Sequence, residues 1–135
     1  MVIHADSSYL IDLLREQARG KNGRATAFLE AHAADRLLAS LFVVCELEAG
    51  AANASLPDRE QARVRALFQA VAIVYPDDRF AATYGEVLVA VQRSGKTIDT
   101  MDLLIATTAL IEGAALVTAN RRHFGMTPGL EVLGY

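Results

Sequence analysis

The sequence predicts an α/β fold: a three-layer α/β/α sandwich around a central, mainly parallel sheet. Short apolar, β-branched runs alternate with helix-length segments along the chain, and the runs lack the polar alternation of a half-exposed strand. Glycine, proline and hydroxyl residues stand where such helices would start and stop.

Residues 2–5 are apolar and β-branched, and Asp6-Ser7-Ser8 follows at once, so a strand runs into a helix N-terminus that the serines can cap. That helix continues through Tyr9, Leu10, Leu13 and Leu14 and ends before Gly20. Residues 20–23 are a loop, 24–33 a second helix and 37–39 a short strand. Ser40 caps the next helix, which runs through Phe42, Val43, Glu46 and Leu47 to about Gly50. Pro57 suits the first turn of a helix reaching Ala70. Residues 72–75 are a strand. Asp77 and Asp78 open a long amphipathic helix ending near Gly95, and 101–112 form a helix stopped by Gly113. Residues 115–118 are a strand, and 131–133 a last one. The segment around 51–57 is a flexible loop without the character of a linker, and 1–135 is read as one domain.

Composition narrows the function. An apolar share of 53% excludes disorder and leaves apolar surface for a partner or a second copy. A net charge of −3 excludes holding nucleic acid by charge alone, so such a role must rest on local patches or bound cations. The lone cysteine, Cys45, precludes an intrachain disulfide and is expected in the core. The N-terminus does not read as a signal peptide, and no apolar run approaches the roughly 18 residues of a membrane span. A cytoplasmic protein is expected.

In open parallel sheets the site lies outside the carboxyl ends of the strands. Asp6 ends the first strand, and Thr118 and Asn120 end a later one. Two further acids stand in apolar company, Glu46 in Phe-Val-Val-Cys-Glu-Leu and Asp102 in Met-Asp-Leu-Leu-Ile-Ala. An acid on an apolar helix face is costly unless it is paired or binds a cation. Neither has a basic residue three or four positions away on its own helix. Oxygen ligands would select magnesium or manganese. Spacing alone leaves this reading level with scattered salt bridges.

The runs also carry a resemblance. Val2-Ile3-His4-Ala5-Asp6-Ser7-Ser8 resembles the opening of PIN domains, and Glu46-Leu47-Glu48-Ala49-Gly50 their acid-Leu-x-x-Gly helix. Residues Ile98 to Ala106 are similar to their Ile-x-x-x-Asp-x-x-Ile-Ala segment. Leu116-Val117-Thr118-Ala119-Asn120, with Phe124 and Pro128-Gly129-Leu130, is similar to their closing strand and turn. The four pieces fall in order over the whole chain, which resembles the VapC toxins and the related FitB-like proteins. The resemblance implies a single PIN domain acting as the toxin of a type II toxin–antitoxin pair. It implies an endoribonuclease dependent on Mg2+ or Mn2+, with Asp6, Glu46 and Asp102 holding the metal and Asn120 at the fourth position. It implies an RNA cut by water to leave a 5′-phosphate and a 3′-hydroxyl, and inhibition by a VapB-type antitoxin through which alone DNA is reached. A homodimer is expected from the apolar excess, notably Phe80, Tyr84, Val87, Leu88 and Val91 on one helix.

Two departures qualify the match. Asn120 stands where many members have Asp, and it brings no charge. Asp99 lies one helical turn before Asp102, where it either joins the site or, as the plainer reading, caps the helix. Ser7 and Ser8 are candidates to hold Asp6 or a ligand water, Thr118 to complete the turn, and Arg121 and Arg122 to bind RNA phosphate or simply face solvent. Asp12 reads as a solvent-facing carboxylate. His4, His32 and His123 have no spaced partner for zinc. A dehalogenase-like phosphatase would need Asp at Ser8, and a dinucleotide binder a Gly-x-Gly-x-x-Gly run that is absent. A degenerate PIN domain serving only as a scaffold is the remaining alternative; Asn120 permits it, and the three retained acids argue against it.

Overall fold

The computed structural model describes residues 1–135. The elements are β1 (Val2–Ala5), α1 (Ser7–Arg19), α2 (Arg24–Ala31), β2 (Arg36–Ser40), α3 (Leu41–Ala52), α4 (Pro57–Ala70), β3 (Ala72–Val74), α5 (Phe80–Arg93), α6 (Thr100–Ile111), β4 (Ala115–Val117), α7 (Arg121–Phe124) and β5 (Val132–Leu133). All neighbouring strands pair parallel, in the order β3-β2-β1-β4-β5. Successive strand residues point to opposite faces, yet Ile3, His4 and Ala5 are all buried, as are Ala115, Leu116 and Val117. The sheet is therefore covered on both sides, which is why its strands carry no polar alternation.

The chain moves outward from β1 through β2 to β3, then returns to place β4 on the other side of β1. The order reverses between β1 and β4, the switch point at which open sheets form their crevice. Ala5 pairs with Val117, so the next residues, Asp6 and Thr118, stand side by side at the carboxyl edge. The core beneath joins Ile3, Leu10, Val43, Leu47, Ile105 and Leu116. On α5, Val87 and Val91 close on Leu103 of α6, so much of that helix's apolar face is used inside the chain. Val89 stays exposed.

Several local expectations need correction. Asp77 and Asp78 do not open α5. Asp77 instead grips Arg79 through its backbone N–H and guanidinium, and the helix starts at Phe80. The four-residue helix α7 was not foreseen. Cys45 is exposed: Val43 and Leu47 take the inward stripe of α3, and their neighbour on the outer side faces solvent. α3 runs on to Ala52, into the segment expected to be a loop, and α2 stops at Ala31. The remaining boundaries lie within two residues of expectation, and the Ser40 cap, whose Oγ accepts from the Val43 N–H at 3.3 Å, and the left-handed stop at Gly113, with φ 63°, are present.

Candidate active site

Asp6 is the N-cap of α1 by backbone conformation, with φ −75° and ψ 157°, but its side chain caps nothing. The carboxylate turns into the crevice and is 3% exposed. Its Oδ2 accepts from Thr118 Oγ1 at 2.7 Å and from Ser8 Oγ at 2.8 Å. Ser8 Oγ in turn accepts from the Ala119 N–H at 3.0 Å, and Thr118 Oγ1 accepts from the Asn120 N–H at 2.9 Å. A buried carboxylate needs such donors, and here they come from both sides of the switch point. Ser7 Oγ donates to Glu46 Oε1 at 2.9 Å and lies 3.5 Å from Asp6 Oδ1. Thus neither serine caps α1 with its side chain. Both serve carboxylates.

Glu46 reaches the site from α3 and Asp102 from the first turn of α6. Burial pushes the Glu46 carboxyl above its ordinary range; the Ser7 bond opposes this, and the charges of Asp6, Asp102 and Asp99 add to it. Burial likewise raises Asp102, with further upward pressure from Asp6 and Asp99 and relief from His123. The charges of Asp6 and Asp99 thus bear on both Glu46 and Asp102, and that of Asp102 on Glu46, which places the acids in one electrostatic cluster. His123 Nδ1 stands 3.8 Å from Asp102 Oδ2. Sequence reasoning missed this neighbour because it comes from α7 and not from α6. Asp99 is exposed at the N-cap position of α6, but its side chain makes no capping bond, so the capping expectation holds for backbone only. Asn120, Arg121 and Arg122 are exposed at the rim, Asn120 as the N-cap of α7.

No three His, Cys, Asp or Glu side chains close tightly enough to enclose an ion by themselves. The donors are nevertheless all oxygens, and they repel one another. Such an open set suits a hard divalent cation that keeps several waters and takes only one or two carboxylates directly.

Asp12 is also corrected. It is half-buried, and Tyr135 Oη donates to its Oδ2 at 2.6 Å. Burial and Asp12 push the Tyr135 hydroxyl upward, out of the range in which it would ionise.

The sequence pattern of the PIN domain matches residues 3–127. The chain belongs to the PIN-domain family. Ribonuclease VapC19 of Mycobacterium tuberculosis is 35% identical over 97 residues, 72% of this chain and 74% of that one. Ribonuclease VapC1 of Haemophilus influenzae is 27% identical over 124 residues, 92% of this chain and 90% of that one. The PIN fold seen here is similar to a chain of VapBC2 from Rickettsia felis, crystallised with a DNA fragment from its promoter. The TM-score is 0.90 at 23% identity, covering 100% of this chain and 99% of that one. A chain of FitAcB from Neisseria gonorrhoeae is similar with a TM-score of 0.82 at 24% identity, covering 97% and 96%. In this PIN domain the four positions expected from sequence, Asp6, Glu46, Asp102 and Asn120, come from four different elements or turns and gather at one sheet edge.

Proposed function

We propose that this PIN domain is a toxin of the VapC type, a ribonuclease that hydrolyses RNA phosphodiester bonds and is silenced by a VapB-type antitoxin. The carrying observation is Asp6, fixed at the switch point by two hydroxyls beside Glu46 and Asp102, whose carboxyls are raised by burial and by neighbouring negative charge. Relatives named ribonuclease VapC, and similar chains in VapBC and FitAB complexes, support the same reading. A scaffold role would leave this assembled cluster of acids without a use. Its place of action is the cytoplasm, where RNA is, and DNA is reached only through the antitoxin.

In this proposal Asp6, Glu46 and Asp102 would hold Mg2+ or Mn2+, one or two of them directly and the rest through its waters, with the neutral Asn120 at the rim of the same site. When bound, the cation supplies Lewis acidity and an activated water. The chain's own groups do the rest. Ser8 and Thr118 fix the Asp6 carboxylate. Ser7 occupies Glu46 Oε1, leaving Oε2 to accept a proton from the attacking water, and a raised carboxyl suits that task. Arg121 and Arg122, at the rim beside Asn120, receive substrate phosphate. Asn120 adds no charge, so one cation is proposed. Val89 and the remaining exposed apolar surface support a homodimer, which should sediment at twice the 14.5 kDa chain mass.

The test is cleavage of end-labelled RNA by purified protein. Activity should vanish in EDTA, return with Mg2+ or Mn2+, leave 5′-phosphate ends and disappear when the antitoxin is co-expressed. Undiminished cleavage in EDTA would rule out the metal. Cyclic-phosphate ends would rule out water as the nucleophile.

A further inference from the structure

Beyond the acids, one side chain reaches the crevice from an unexpected direction. Tyr135 follows β5, which pairs with β4, and the Thr118 N–H donates to the Leu133 carbonyl at 3.0 Å. From that edge Tyr135 crosses to α1. Its ring meets buried Tyr9 edge-on, with centroids 5.0 Å apart and planes at 85°. Its hydroxyl bonds Asp12 Oδ2 at 2.6 Å and lies 3.4 Å from the Ser8 carbonyl. A phenol has one proton. The short, charge-assisted bond to Asp12 takes most of it, and Ser8 O receives the weaker share.

Ser8 is the residue whose hydroxyl holds Asp6 and receives the Ala119 N–H. Asp12 lies one helical turn beyond Ser8 on the same face of α1. Tyr135 therefore pins the first two turns of α1 to the β4–β5 edge at the level where Ser8 must bridge Asp6 and Thr118. Without this tie, the β4 edge and α1 would meet through apolar packing and through the bonds at the crevice itself, the Asp6 N–H to the Val117 carbonyl, Thr118 to Asp6 and the Ala119 N–H to Ser8. Apolar packing is non-directional, so with the Asp12 tie gone the second turn of α1 could shift and carry the Ser8 hydroxyl by the few tenths of an ångström that a hydrogen bond notices.

We infer that Tyr135, acting through Asp12, is a positioning residue that sets Ser8 and so aims the Asp6 carboxylate into the crevice. The inference rests on the ribonuclease reading for its catalytic consequence, though not for its structural one.

The test uses the full chain. Tyr135→Phe keeps the ring on Tyr9 and removes only the hydroxyl. It should lower kcat about tenfold at nearly constant KM, and speed hydrogen exchange at the Ala119 N–H, measured by NMR. Asp12→Ala should reproduce both effects, whereas Asp12→Asn, which keeps an acceptor oxygen, should rescue most of the activity. Assays run well below each variant's Tm separate positioning from stability. Unchanged kcat with unchanged Ala119 exchange overturns the inference, as does a loss of kcat that tracks Tm alone. If the native chain cleaves no RNA, the ribonuclease reading fails, and Ala119 exchange alone then decides whether Tyr135 positions Ser8.

Discussion

Ser7 Oγ donates to Glu46 Oε1 at 2.9 Å, joining the first turn of α1 to the middle of α3 across 39 positions of sequence. The bond opposes the upward push that burial and the neighbouring acids exert on Glu46. Ser7→Ala removes the opposing influence, so the Glu46 carboxyl should rise further. A base with a higher pKa is protonated over more of the acidic range. The acid limb of the pH–rate profile should therefore move to higher pH, with a loss of about tenfold at most near neutrality. A limb that stays put or moves to lower pH would remove Glu46 from the proton-transfer step.

Asp102 and Asp99 separate cleanly. Asp102 is half-buried with its carboxyl raised, and Asp99 is exposed and acts on it only through charge. An acid raised by folding adds stability below its unfolded pKa and loses it as pH rises through the folded value. At neutral pH the metal-free protein therefore carries a repulsion that Asp102→Asn relieves. That variant should melt about 2 °C or more above the native chain without metal, yet lose cleavage about a hundredfold or more. Asp99→Asn should keep activity within about threefold, as expected for an exposed charge. Calorimetry in EDTA and a cleavage assay in Mg2+ check the pair. Exchanged behaviours would mean that Asp99, and not Asp102, is the ligand.

The strand and helix pattern was legible because burial on both sheet faces leaves uninterrupted apolar strands, and Gly20 and Gly113 stop helices through their left-handed backbone. The acids were legible for a physical reason too. A carboxylate amid Phe42, Val43 and Leu47, or amid Leu103 and Ile105, has no local partner and must find one elsewhere. Contacts made across the fold left no such trace. His123 meets Asp102, and Tyr135 meets Asp12, through side chains whose proximity depends on where α7 and β5 are laid down. Cys45 illustrates the converse. On a helix apolar nearly all round, composition does not say which side faces solvent, and only the packing of Val43 and Leu47 decides it.

Thr118 is buried with its hydroxyl shared between Asp6 Oδ2 and the Asn120 N–H. Thr118→Val keeps the shape and removes both bonds. The unmet carboxylate oxygen and N–H should cost about 1–3 kcal/mol of folding stability. Cleavage should fall as well, because Asp6 keeps only Ser8 on that oxygen. Thr118→Ser retains the hydroxyl and should behave like the native chain apart from a small packing loss. Denaturant melts and kcat together decide this. A Val variant with native kcat would show that Ser8 alone aims Asp6.

Away from the acidic cluster, Glu16 ties α1 to α2. Its carboxylate accepts from the N–H groups of Gly23, Ala25 and Thr26 at 2.6, 2.9 and 2.9 Å and from Thr26 Oγ1 at 2.7 Å. These donors are the unsatisfied first-turn groups of α2, whose own N-cap, Gly23, has no side chain to offer. The Thr26 hydroxyl foremost, with the backbone donors, holds Glu16 down at about 2. A depressed acid contributes stability above its unfolded pKa, here about 4.5, and loses it as pH falls through the folded value near 2. Glu16→Gln should therefore lower Tm at neutral pH, since a neutral amide accepts these bonds less strongly and brings an N–H₂ into a ring of donors. The gap between variant and native chain should narrow as pH drops from about 4.5 toward 2, where the native carboxyl also becomes neutral. Thermal melts of both proteins across that window measure the gap directly. A gap that stays constant with pH would mean that the variant loses shape complementarity and not charge, and Glu16 would then be a packing residue of the α1–α2 loop.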